Sequence, residues 1–215
     1  MAIRDPDRED SDLRWLADVT VRMQPILAEF HAIIDRVMGD DPAMKGWRAS
    51  GFRYDIGTGS IRPRTTDVPE GRRMDPPSEG QWTPDRRQLI ELAARMIELR
   101  SQRFDGRRVC PVEKDWKDKL RHRYPSMFEC EMSVGPGWAD LIRAYAEMRM
   151  EAGDTPHFVE IKEKFGGLRL YETGCFRELE WIAELLSLSV CEDCGAPGEE
   201  RDEAWIRTLC DRHAG

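Results

Sequence analysis

No stretch of this chain is apolar for the roughly 18 residues that a spanning helix requires, so no membrane partner is expected. The opening residues, Met1-Ala2-Ile3-Arg4-Asp5-Pro6, are polar and carry no secretory h-region, which predicts a cytoplasmic protein. Cysteine is scarce: six in 215 residues is too few for a disulfide scaffold, and Cys110, Cys130 and Cys175 read as free thiols. There are four histidines, and no Ser, Cys and His combination stands out as a nucleophile set. Phosphate loops and dinucleotide fingerprints are missing too, since the glycines at 57, 59, 135 and 137 lack the required strand-to-helix context. No internal repeat is visible. What remains is a polar globular chain, 34% charged and 40% hydrophobic with a mean hydropathy of −0.63, long enough for one large domain or two small ones.

The net charge of −8 is unevenly spread. Residues 151–215 hold 7 basic and 15 acidic side chains, a balance of −8, whereas residues 51–150 hold 19 and 16, a balance of +3. From Arg100 to Arg123 nine cations, among them Arg107, Arg108 and Arg121, face four acids. Such a stripe can contact phosphates or form the solvated flank of a helix. The acidic C-terminal third argues against a general nucleic-acid coat and suits docking to a basic protein surface.

Hydrophobic periodicity predicts an α+β protein in two parts, residues 1–112 and 113–215. In the first, residues 11–38 read as a helix capped at Ser11-Asp12 and stopped at Gly39, with Pro25 predicting a kink or two consecutive helices. Residues 51–63 read as a β-hairpin, residues 63–82 as a loop that is mobile or packed on a partner, and residues 83–102 as a helix capped by Thr83. In the second part, a short helix over 113–123 precedes a strand over 128–134 and a helix over 138–151. A hairpin from Phe158 to Tyr171, turning at Gly166-Gly167, leads to a helix over 176–189. The long amphipathic N-terminal helix allows a homodimer.

The strongest chemical signal closes the chain: Cys191-Glu192-Asp193-Cys194-Gly195, then Cys210-Asp211-Arg212-His213, with fifteen residues between Cys194 and Cys210. Two pairs of soft donors, each pair separated by two residues, form the inventory of a structural Zn²⁺ site. Gly195 supplies a knuckle turn that tolerates positive φ. Four protein ligands leave no open position, so Cys191, Cys194, Cys210 and His213 are expected to hold zinc for architecture, with Glu192, Asp193 and Asp211 balancing charge or orienting His213.

Two weaker constellations lie upstream. Glu160-Ile161-Lys162 places an acid and a lysine two apart on a strand, the half-motif of Mg²⁺-dependent nucleases, with Asp140, Asp154, Glu129 and Glu131 weighed as its second acid. A solvated strand face of alternating charge accounts for the same residues and is preferred. Lys162, Lys164 and Arg169 can also share one face of the hairpin near Tyr171 and grip a phosphate backbone or an acidic partner, unless they pair with acids such as Glu178 or Glu180. His31 reads as a packed side chain.

Three segments together carry a resemblance: Gly137 to Ile142, Ile161 to Tyr171, and the two cysteine-bearing runs Cys191 to Gly198 and Trp205 to His213. They resemble a group of small bacterial and phage or prophage proteins with a helix–hairpin–helix body closed by a C-terminal zinc knuckle. The resemblance covers residues 113–215 and brings no activity with it. It implies a mobile-element setting, in which small accessory proteins bind and redirect host machinery. The leading expectation is therefore a non-enzymatic protein that occupies a host macromolecule, a protein target being favoured, as an inhibitor of a bacterial defence complex would. Nucleic-acid binding through residues 100–123 and 162–169 is the alternative, and a nuclease built on Glu160 and Lys162 the third.

Overall fold

A computed structural model describes residues 6–71, 84–173, 177–202 and 205–215. Most of the predicted loop at 63–82, the Thr83 cap and Cys175 lie outside the described residues. The architecture is mixed α+β. The chain runs α1 (Pro6–Met38), β1 (Phe52–Asp55), β2 (Ser60–Pro63), α2 (Arg86–Ser101), α3 (Trp116–Arg123) and β3 (Glu131–Ser133). It continues through α4 (Ala139–Glu151), β4 (His157–Lys164), β5 (Gly167–Thr173), α5 (Arg177–Ser187), β6 (Glu199–Asp202) and β7 (Ile206–Leu209).

The first helix starts earlier than expected and is not divided into two at Pro25. It begins at Pro6, leaving Ser11 and Asp12 inside it, and runs without interruption through Pro25 to Met38. Proline deletes the bond to the carbonyl four residues back. That residue, Val21, is 73% exposed, so water is at hand for the freed group. The opposite face buries Met23, Ile26, Phe30, Ile33, Ile34 and Val37 at helical spacing. β1 and β2 form the expected antiparallel hairpin.

α2 lies at the centre, packed by α1, β2, α4 and α5, with Leu89, Ile90, Leu92, Ala93, Ala94 and Ile97 fully buried. Its N-cap is Asp85, whose carboxylate accepts the Gln88 amide at 3.0 Å. Burial on most sides brings polar groups inside with their partners. Arg86 is clamped by Asp41, and the Ser101 hydroxyl receives the Ile61 amide. One hydrophobic cluster runs from Val19 on α1 to Val190 beside the cysteines, across the expected boundary at 112/113.

The sheet after α3 is a three-stranded array in the order β3-β4-β5. β3 pairs parallel with β4 across the α4 crossover, and β5 returns antiparallel. Two register details depart from simple alternation. A bulge between Phe158 and Glu160 turns Phe158 into the core and leaves Val159 exposed, where unbroken alternation would put Phe158 beside Glu160. The hairpin turn is Phe165-Gly166 instead of Gly166-Gly167, because Gly167 already pairs with Lys164 as the first residue of β5.

Candidate metal centre

The cysteines and histidine converge as their spacing requires. α5 ends at Ser187, and an isolated bridge between Val190 and Pro197 closes a tight loop. Within it the Gly195 amide donates to the Cys191 carbonyl at 2.8 Å, and Gly195 adopts φ 75°. This turn points Cys191 and Cys194 the same way. The β6–β7 hairpin, absent from the sequence reading, then carries the chain back so that Cys210 and His213 close the set.

The spacing of the donors tests whether zinc fits. The Sγ atoms of Cys194 and Cys210 lie 3.7 Å apart, and His213 Nδ1 lies 3.4 Å from the Sγ of both Cys191 and Cys210. A tetrahedron with Zn–S near 2.3 Å and Zn–N near 2.0 Å has edges of about 3.8 Å between sulfurs and about 3.5 Å from sulfur to nitrogen. Donor chemistry and edge lengths agree with zinc. Hydrogen bonding from the Cys194 thiol holds Cys191 well below the ordinary thiol range, while the proton it shares pushes Cys194 up. A bound cation would replace that proton and make both groups thiolates. Among the described residues this is the one cluster of three or more His, Cys, Asp or Glu donors close enough to hold a metal.

The surroundings of the cage come from distant parts of the chain. Arg100 of α2, almost fully buried, donates to the Cys194 carbonyl at 2.6 Å and pairs with Glu29 of α1 at 2.5 Å. Arg36 of α1 donates to the Gly198 carbonyl at 3.1 Å. The Gly137 amide donates to the Glu192 carbonyl at 2.7 Å, and the buried Trp138 indole to the Val190 carbonyl at 2.9 Å. The acids next to the ligands pair with arginines. Glu192 and Asp193 both pair with Arg207, and Asp211 pairs with Arg201, so none of them orients His213 in these contacts. Burial raises the Glu192 carboxyl even though Arg207 opposes the shift.

The other expected site residues are distributed over the surface. Lys162 pairs with Glu160 at 2.5 Å and lies 5.0 Å from the Tyr171 ring centre. Of the weighed second acids, Asp140 is held by Arg103 and Asp154 by Arg149, whereas Glu131 stands opposite Glu160 in the parallel register. Arg169 reaches Glu184 of α5 at 3.7 Å, an acid on the same helix as Glu178 and Glu180, and Lys164 sits 5.4 Å from the Phe165 ring centre. In the basic stripe, Arg121 faces the carbonyls of Phe128 and Cys130 and the Asp118 carboxylate. Arg107 and Arg108 are exposed in the loop closed by the Phe104–Val109 bridge, and Arg108 approaches Asp105 at 4.0 Å. The three hairpin cations and the two loop arginines thus occupy separate elements.

His31 is half-buried, and its Nε2 accepts the Ala49 amide at 3.2 Å. No helix among the described residues is long and apolar enough to cross a membrane. No protein-family model, characterised protein or solved structure matches this chain.

Proposed function

We propose that this is a zinc-stabilised binding protein without catalytic chemistry, which acts by occupying a macromolecular target, a protein in preference to nucleic acid. The observation that carries the reading is the closed donor set: four side chains at tetrahedral spacing leave no position for water or substrate. The pairing of Lys162 with Glu160, of Asp140 with Arg103 and of Arg121 with backbone carbonyls supports it, because these charges already serve the fold. The resemblance of residues 113–215 to phage and prophage proteins supplies the setting. In that setting the protein is an accessory factor in a bacterial cytoplasm, and a host defence complex is the kind of target it would occupy.

A second reading, a Mg²⁺-dependent nuclease, gains one observation, the placement of Glu131 beside Glu160. Purified protein is incubated with mixed DNA and RNA at physiological salt with Mg²⁺ and run on a native gel. The expected result is intact, unshifted nucleic acid. Cleavage lost in Lys162→Ala at unchanged melting temperature would establish the nuclease instead. A shift that weakens steeply with salt would move the target to nucleic acid.

A further inference from the structure

The β4–β5 turn breaks a local rule. A two-residue hairpin turn with both central residues at positive φ favours Asn-Gly, because side chains are crowded there. Here Phe165 takes φ 54° and Gly166 φ 72°, and Phe165 is the one non-glycine residue with positive φ among the described residues. A bulky aromatic in that conformation calls for a reason, and the core does not supply it: Phe165 is 62% exposed. Beside the turn lies Trp205, 67% exposed. Glu163 holds both positions, one carboxylate oxygen accepting the Gly166 amide at 2.7 Å and the other the Trp205 indole at 3.3 Å. Thr208, on the strand after Trp205, donates to the Gly166 carbonyl at 2.6 Å, so the turn is seated on the hairpin that leads to Cys210.

We infer that Phe165 and Trp205 form a preorganised anchor for a protein partner whose surface offers an apolar cleft rimmed by lysine and arginine. Large aromatics held rigidly outside the core bind with little further loss of conformational freedom, and tryptophan is enriched among residues that dominate interfaces. Charge decides the class of partner. The hairpin carrying Trp205 is acidic, with Glu199, Glu200 and Asp202 exposed on β6; of its cations, Arg207 is taken up by Glu192 and Asp193 and Arg201 by Glu199 and Asp211, while Lys164 lies against the Phe165 ring. That rim repels phosphates and attracts a basic protein surface. The inference rests on the reading as a binding protein and names its contact surface.

The probe is a random peptide display library panned against the full-length, zinc-loaded protein, followed by titration of the enriched peptides. Enriched sequences should combine a bulky apolar residue with lysine or arginine, and Trp205→Ala and Phe165→Asn should each weaken them about tenfold or more. Phe165→Asn should also keep its zinc and melt at a higher temperature than wild type, since asparagine suits the turn. A lower melting temperature would show that Phe165 serves its own fold and would overturn the anchor. Failure to enrich any peptide overturns it as well. Peptides bound equally by the variants would place the binding surface elsewhere, leaving the binding-protein reading intact. Single-stranded DNA bound by wild type and lost in both variants would make the pair a base-stacking platform and overturn the protein partner. Cleavage in the nucleic-acid gel assay removes the binding-protein reading itself, whatever the peptides do.

Discussion

A Cβ at Gly137 would overlap the Cys191 carbonyl oxygen and lie 2.6 Å from both the Glu192 carbonyl carbon and the Gly195 nitrogen. Only hydrogen fits between this loop and the knuckle. Gly137→Ala is expected to cost about 2 kcal/mol and to loosen the metal, measured by thermal melts and by zinc release to a competing chelator. His31 gives a prediction in pH. Burial first, and then the nearby Arg48, lower its pKa from 6.5, in keeping with a neutral ring that accepts the Ala49 amide. Below 6.5 the unfolded chain therefore takes up a proton that the folded chain resists. The stabilisation is complete above that value and lost as pH falls toward the folded pKa. Urea midpoints should drop more between about pH 7.5 and 5.5 for wild type than for His31→Gln; equal drops would remove His31 from the account.

Pro25 sits on an exposed turn of α1 with the helix continuing on either side. Its cost is local, a missing hydrogen bond, and no buried packing depends on its ring. Pro25→Ala should stabilise the protein by about 1 kcal/mol or more and deepen the helical circular dichroism signal. No gain would mean that the proline positions the N-terminal turns of α1. The β4–β5 hairpin shows the opposite balance, in which a bulge and a strained turn set where side chains point. The bulge sends Phe158 against Phe128 and Tyr145, with ring centres 5.0 and 5.9 Å apart.

The cage belongs to the whole molecule through Arg100 and Arg36. Arg100 is nearly sealed from water between Glu29 and the Cys194 carbonyl, so Arg100→Ala leaves a carboxylate and a carbonyl without their partner. A loss of about 3 kcal/mol together with weaker zinc retention is expected, read from denaturant titration and chelator competition. Because the hydrophobic cluster is continuous from α1 to Val190, removing the metal should destabilise more than the C-terminal segment. Hydrogen exchange after chelation should quicken in α1 and α2 as well as in residues 189–213. A response confined to residues beyond 113 would show two energetically separate parts.

The two-residue spacing of Cys191 and Cys194 and of Cys210 and His213 was readable because each pair is set by a single turn of local backbone. Helices and two of the three hairpins among the described residues were readable for a related reason: periods of 3.6 and 2 residues record which side faces the core, whereas β6–β7 showed no such signal. Helix α1 could be placed this way, though not its start at Pro6 or its passage through Pro25, which depends on water reaching Val21. The parallel β3–β4 pairing left little trace, since three residues of strand carry almost no period. The clamp on the cage left none. Arg100 and Cys194 are 94 residues apart, and Arg36 and Gly198 are 162 apart. Local pattern therefore specified the ligands and most of the elements. Which arginines are buried, which acid each meets, and which aromatics stay outside follow from packing distant segments into one core, because a charge or ring is placed by the atoms that surround it in space.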